Sequence, residues 1–262
     1  MNIVVCVKQV PDTTEIKIDP VKNTLIRQGV PSIVNPFDKN AIEQALKLKD
    51  MYGGTVTAIS MGPNQAKAVL REALAMGADK AYLVTDRAFG GSDTYATSYI
   101  LSKVIEKLGP FDIILGGKQA IDGDTGQTAT SIAQHLRVNR VSYALDIKIK
   151  GDKCIVNRLV EEGVEVVESE LPILCTLTKE SNKPRYATIK GKLDSLKAEI
   201  QEIHLADIPD MDTTKIGLKG SPTRVKATFT PKRQASGEIM EVINPEETAK
   251  NLVCKLLEAK LL

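Results

Sequence analysis

The sequence predicts an α/β protein: an open parallel sheet with helices on both faces, a small antiparallel extension and an extended C-terminal arm. Three observations predict it. Strand-like and helix-like stretches alternate through the first half of the chain, the pattern of a parallel sheet covered on both sides. A Gly/Asp/Thr loop, Lys118 to Thr130, joins the apolar run Phe111 to Gly117 to a helical run, Thr128 to Leu136. After Arg140 the pattern changes to strand-like runs at short spacing.

Ile3–Val7 is a first strand; the apolar run is too short for a secretory signal and no cleavage site follows. Asp12 to Gly29 reads as a hairpin, with Glu15-Ile16-Lys17-Ile18-Asp19 alternating at period 2. Asn35 to Met51 is helical, with Ala41, Ile42, Ala45, Leu46 and Leu48 as its apolar stripe. Asn35 suits the cap of that helix and Pro36 its first turn. Val56 to Met61 is strand, Gln65 to Met76 helix, Lys80 to Val84 strand and Tyr95 to Leu108 helix. The strand, loop and helix of 111–136 follow.

Ala144–Ile149, Cys154–Val160, Val164–Glu168 and Ile173–Leu177 are then expected as strands of an antiparallel extension packed on the main sheet. From Glu180 the chain turns basic and irregular, with Lys179, Lys183, Arg185, Lys190, Lys192 and Lys197 around Pro184-Arg185-Tyr186. Leu205 to Gln234 holds three prolines and little periodicity; a partner-embracing arm and a partly disordered linker both account for it. A final helix runs from about Pro245 to Leu261. The expected division is a domain of residues 1–204 followed by an arm and terminal helix of residues 205–262.

Composition narrows the function. The 262 residues are 42% apolar and 26% charged with a net charge of +2, which gives no electrostatic footprint for nucleic acid. Aromatics make up 4% and tryptophan is absent, so base stacking is not a theme. No apolar run approaches the roughly 20 residues that span a bilayer, so no membrane insertion is expected. Cys6, Cys154, Cys175 and Cys254 show no metal-binding spacing, and His135 and His204 lie far apart. Free thiols in a reducing, cytoplasmic setting are expected, and no metal site.

The 118–130 loop is the main candidate site. Glycines let a backbone approach an anion, and the unpaired N–H groups of a helix start point at it. An ordinary connection, with Asp124 or Thr125 capping the helix, fits the same residues. Asn35-Pro36-Phe37-Asp38 can cap a helix or contact an adenosine. Ser60-Met61-Gly62-Pro63 stands at the carboxyl end of a strand, where ligands of open sheets lie. Phe89-Gly90-Gly91-Ser92-Asp93-Thr94 is similar to the loop of ATP pyrophosphatases, yet it follows a later strand and lacks the leading serine. It opens a helix, so a second nucleotide and a plain cap both remain readings of it.

There is no phosphate-binding P-loop, no Gly-x-Gly-x-x-Gly after the first strand and no serine nucleophile elbow. No catalytic side chain is assigned. A nucleotide cradle without catalytic groups suits a cofactor holder.

Taken together these residues resemble the electron-transfer flavoprotein beta subunits. The resemblance covers nearly the whole chain. It rests on Val7-Lys8-Gln9-Val10-Pro11, Asn35 to Asp38, Ala73 to Asp79, and Lys118-Gln119-Ala120-Ile121-Asp122. It continues through Glu161 to Thr176, with paired glutamates and Leu171-Pro172, and ends on Pro184-Arg185-Tyr186-Ala187.

It implies an adenine-nucleotide-binding, Rossmann-like fold and an obligate heterodimer with an alpha subunit, embraced by the C-terminal arm. It implies that residues 182–197 dock a flavin dehydrogenase of acyl-CoA or lactate dehydrogenase type. Pro184, Arg185, Tyr186, Ile189 and Lys190 would meet it, with Ile189 as the apolar anchor.

The family has an AMP-binding branch of ordinary electron carriers and a bifurcating branch that binds FAD and takes hydride from NADH. Gly123-Asp124-Thr125-Gly126-Gln127, Asp86 to Thr94, Gly220 to Arg224 and Phe229-Thr230-Pro231-Lys232 look like the bifurcating branch. Thr128-Ala129-Thr130 departs from it, since Val-Gly-Pro is more usual there.

The expected FAD contacts are Cys6, Asn35, Pro36, Phe37, Asp38, Ser60, Met61, Gly62, Asp122, Gly123, Asp124, Thr125, Gly126, Gln127, Thr128, Thr130 and Ser131. NADH is expected beside Phe89, Gly90, Gly91, Ser92, Asp93 and Thr94. One electron would pass to the alpha-subunit flavin and one to ferredoxin or flavodoxin, in anaerobic metabolism. The alternatives are a carrier subunit holding structural AMP and a non-redox adenine-nucleotide-binding module.

Overall fold

The computed structural model describes residues 1–12, 31–226, 237, 239–240, 242 and 244–262. Beyond Asp12, the expected hairpin lies outside them, as does Phe229-Thr230-Pro231-Lys232. Met1–Lys226 form one compact unit and Ala227–Leu262 a second.

The first unit begins with β1 (Asn2–Cys6), the short pair β2 (Gln9–Pro11) and β3 (Ser32–Val34), and α1 (Pro36–Tyr52). It continues with β4 (Thr55–Met61), α2 (Lys67–Met76), β5 (Lys80–Val84), α3 (Thr94–Leu108), β6 (Ile113–Gly117) and α4 (Thr128–Leu136). The strands β7 (Asn139–Lys150), β8 (Lys153–Val160), β9 (Gly163–Glu170) and β10 (Ile173–Leu177) follow, then α5 (Ile189–Lys197), β11 (Gln201–Ile203) and the short α6 (Gly217–Gly220).

Among the described residues nine strands form one sheet in the order β11-β5-β4-β1-β6-β10-β7-β8-β9. It is parallel from β11 to β7 and antiparallel through β8 and β9. The chain runs outward from β1 to β4 and β5, then crosses to β6 on the other side of β1. That reversal puts a topological switch point between β1 and β6, and crevices at the carboxyl ends of such strands are where open sheets bind ligands.

Each buried strand feeds two cores. Ile3, Val5, Val56, Ala58, Ile113 and Leu115 face Ile42, Leu46, Val69 and Leu70 of α1 and α2. Val4, Ile59, Val84 and Ile114 face Ile100, Val104, Ile132 and Ala133 of α3 and α4. Because side chains alternate across a strand and both faces are covered, these strands read as continuous apolar runs. Each buried valine, leucine or isoleucine among them stabilises by about 1.5–3 kcal/mol.

Two strands differ from expectation. Ile173–Leu177 is not part of the antiparallel extension but lies inside the main sheet, parallel to β6 and β7. All its residues are buried, which accounts for the non-alternating run Ile-Leu-Cys-Thr-Leu. The strand expected from Ala144 starts at Asn139, because its first half pairs with β10 and its second with β8. The halves meet near Tyr143, whose φ of 62° is left-handed, and the register shifts on both sides there. Residues 205–220 pack as short turns within the first unit, where Ile208, Met211 and Ile216 are buried with α3. The Asp212 N–H donates to the Tyr99 hydroxyl (2.9 Å), and Lys103 pairs with Asp210.

In the second unit α7 (Pro245–Glu258) starts with Asn244 accepting from the Glu246 N–H and with Pro245 in its first turn. None of its residues is buried, and Leu252, Val253 and Leu257 are exposed. Among the described residues no helix is long and apolar enough to cross a membrane.

Candidate functional site

The switch point is framed by two loops, one after β1 and one after β6, and the first turn of α1 braces both. Asp38 is buried there. Its carboxylate accepts from the Lys8 N–H (2.7 Å) and the Gly117 N–H (3.1 Å), joining the two strand ends. Burial pushes this carboxyl up to about 7, against the hydrogen bonds from Asn35, Lys8 and Gly117. Gly117 permits the close approach, since a Cβ there would lie 2.6 Å from the Phe37 Cβ and collide with Asp38.

Asn35 stands at the cap position of α1 but makes no side-chain cap bond. Its amide instead donates to the Gln119 carbonyl (2.8 Å) and its oxygen accepts from the Ile121 N–H (3.2 Å).

Both acids of the 118–130 loop are engaged within the protein. Lys8 Nζ lies 2.6 Å from Asp122 Oδ1, and the Gln119 amide donates to Asp124. Asp124 and Gly126 hold left-handed φ values of 55° and 62°. α4 then begins at a Gln127 cap position with no side-chain cap, so neither Asp124 nor Thr125 caps it. The helix start leaves its first donors for another acceptor. A cavity of about 190 Å³ opens there, lined by Lys118, Gly126, Gln127, Thr130, Arg140 and Tyr143, among others. Lys118 Nζ sits 5.1 Å from the centre of the Tyr143 ring.

A larger groove of about 520 Å³ runs across the carboxyl ends of β4 and β5, from Lys8 and Asp122 to the 86–92 loop. Met61, Gly62, Phe89, Gly90, Gly91, Ser92 and Asp122, all expected site residues, line it. Gly126, Gln127 and Thr130 line the smaller cavity. Cys6, Pro36, Phe37, Gly123, Thr125, Thr128 and Ser131 line neither, nor do Asn35, Asp38 and Asp124, which shape the loops. Ser60 is buried, and its hydroxyl has no hydrogen-bond partner among the described residues.

The 89–94 loop is strapped by residues 217–223. The Phe89 side chain is in the core. The Ser92 hydroxyl donates to the Phe89 carbonyl (2.8 Å) and accepts from the Gly217 N–H (3.0 Å). Asp93 caps α3 through the Ala96 N–H and accepts from the Thr223 N–H (2.9 Å) and hydroxyl (2.7 Å). Sequence reasoning passed over Lys8, Arg87, Lys118 and Arg140 as site residues. Three of them stand inside motifs singled out for other reasons, and nothing local marks a lysine or arginine as pocket-facing.

On the opposite side of α1, Arg185 donates through Nε to Glu43 (2.9 Å) and through Nη2 to Asp50 (2.8 Å). Its guanidinium thus ties the 182–188 segment to α1, leaving Tyr186 and Ile189 at 96% and 82% exposure. Leu193 and Leu196 are exposed as well, and their i, i+4, i+7 spacing from Ile189 puts all three on one face of α5.

The chain matches the family described as electron transfer flavoprotein domain over residues 22–208. The electron transfer flavoprotein subunit beta of Thermoanaerobacterium thermosaccharolyticum is 54% identical, over 98% of both chains. That of Clostridium acetobutylicum is 52% identical, also over 98% of both chains. Subunit CarD of the caffeyl-CoA reductase-Etf complex of Acetobacterium woodii is 49% identical over 100% of both.

Proposed function

The chain belongs to the electron transfer flavoprotein family as a beta subunit, one half of a heterodimeric flavoprotein, and from that premise we propose that it binds FAD and works in NADH-dependent electron bifurcation. The observation that carries this reading is the pairing of an uncapped α4 start with a large groove, both lined by one loop.

The residues present fit a flavin dinucleotide. The donors of the α4 start, with Lys118 and Arg140 beside them, suit a diphosphate. A Cβ on Gly123 would meet nothing within 4 Å, so the loop leaves open space on that side. The charge of Asp122 is matched by Lys8, and Asp124, exposed, is turned to the Gln119 amide. Asn35 and Asp38 position the loops without lining the cavities. When bound, the flavin would supply the acceptance of a hydride and the release of single electrons. The protein would hold the diphosphate at α4 and admit NADH along the groove beside Gly90, Gly91 and Ser92.

One electron would leave for the alpha-subunit flavin and a partner dehydrogenase, the other for ferredoxin or flavodoxin. The printed name of the Acetobacterium relative, a subunit of a caffeyl-CoA reductase complex, supports a CoA-linked partner. The exposed face of Ile189, Leu193 and Leu196 is the proposed dehydrogenase contact, and the arm beyond Lys226 the proposed alpha-subunit contact.

The test is to co-express the chain with its alpha subunit, release the nucleotides and count them. Two FAD and no AMP per heterodimer are expected. One FAD and one AMP would make the chain a structural nucleotide holder in an ordinary carrier.

A further inference from the structure

We propose that Arg87 anchors the dinucleotide entering the groove by its diphosphate, an assignment that rests on the function proposed above. Among the described residues four charged side chains line the groove: Lys8, Asp86, Arg87 and Asp122. Three are matched within the protein. Lys8 and Asp122 pair with each other at 2.6 Å. Asp86 accepts from the Ala88 N–H (2.9 Å) and the Leu205 N–H (3.1 Å), hydrogen bonds that hold its carboxyl below its ordinary range. Arg87 is exposed, and no ion pair joins it to any described residue.

The backbone beneath Arg87 is fixed. Asp86 caps the single turn Arg87–Phe89, Phe89 is buried, and the Gly90 N–H donates back to the Arg87 carbonyl (3.2 Å). A planar guanidinium on a rigid base suits bidentate recognition of a phosphate, and Gly90 and Gly91 beside it present bare backbone to the groove. Val10, Pro11, Met61, Pro63 and Val84 supply an apolar lining. Apolar walls and one unmatched cation among the described residues suit a ligand that joins a flat ring to a diphosphate, and the volume lies within the roughly 300–1,000 Å³ of small-molecule sites.

The test uses the heterodimer purified with its bound cofactors. NADH and ADP-ribose are titrated into wild type, Arg87→Ala and Arg87→Lys, and flavin is counted in each. Both ligands should bind Arg87→Ala at least about tenfold more weakly, with Arg87→Lys between, because a lysine keeps charge but loses the fork. Flavin content and melting temperature should not change.

An Arg87→Ala complex that binds NADH as tightly as wild type would overturn this assignment alone. So would loss of flavin in that variant, or weakening of NADH with ADP-ribose unaffected, which would move Arg87 to the cofactor or to the nicotinamide end. A wild-type complex that binds no NADH would overturn the proposed function, and this assignment with it.

Discussion

Asp38 and Asn35 hold the site together at the scale of single residues, and both act at long range. Asp38 joins two strand ends, Lys8 and Gly117, that are 30 and 79 positions away, and Asn35 reaches residues 84 and 86 positions on. No local pattern announces such contacts. The sequence marks both residues as special beside Pro36, yet points to the ligand rather than to the loops. The glycines and threonines of 123–130 stand out in the sequence because turn chemistry and helix starts are local, and of them Gly126 and Thr130 line a cavity.

Asp38 also makes a pH prediction. Its carboxyl is at about 7 in the folded protein against an ordinary 3.8. The folded state therefore holds a proton that the unfolded chain releases. Its contribution to stability is full below about pH 4 and is lost as pH rises through about 7, to an upper bound of about 4 kcal/mol. Urea unfolding of wild type should show this fall, and Asp38→Asn should flatten it; an unchanged slope would place the titrating group elsewhere. At Gly126, φ is 62°, a conformation a β-branched residue resists. Gly126→Val should strip flavin from the heterodimer, and normal flavin content would remove that loop from the cofactor site.

Among elements, the long and strongly patterned ones were legible. The four long helices of the sheet domain and the strands beneath them match their expected spans to within about two residues, the boundary uncertainty normal for such assignments. The three-residue strands β2, β3 and β11 carry too few residues for any periodicity. β10 went to the wrong neighbours because its continuous apolar run was grouped by spacing with the meander before it.

α5 lies in the basic stretch whose sequence reads as irregular, and its helix start is capped by the Thr188 hydroxyl. Its apolar residues face outward, so burial does not explain them. Ile189→Ala should slow electron transfer to the partner dehydrogenase by about 5- to 30-fold, the effect of losing an interface anchor worth about 1–2 kcal/mol. Melting temperature should stay within about 1 °C, because a surface change away from packing moves stability little. A lowered melting temperature with normal transfer would assign that face to folding instead.

For the whole molecule, the division after Lys226 separates a unit with two core clusters from one in which no described residue is buried. Both core clusters and the turns at 205–220 that cover α3 lie before it. Beyond it, α7 carries Ala249, Leu252, Val253, Leu256 and Leu257 at the spacing of a single helix face, and none of them is buried. A helix of 14 residues is marginal in water without a packed face. Such a helix in a subunit known by family to work in a heterodimer is explained if the alpha subunit covers that face.

A chain ending at Lys226 should then unfold cooperatively in urea near the midpoint of the full chain, while failing to co-elute with the alpha subunit on size exclusion. The double change Leu252→Asp and Leu257→Asp in the full chain should weaken the heterodimer without touching the urea midpoint of the isolated subunit. A truncated chain that assembles with full affinity would show that the interface lies wholly on the first unit, and that the apolar face of α7 serves another contact.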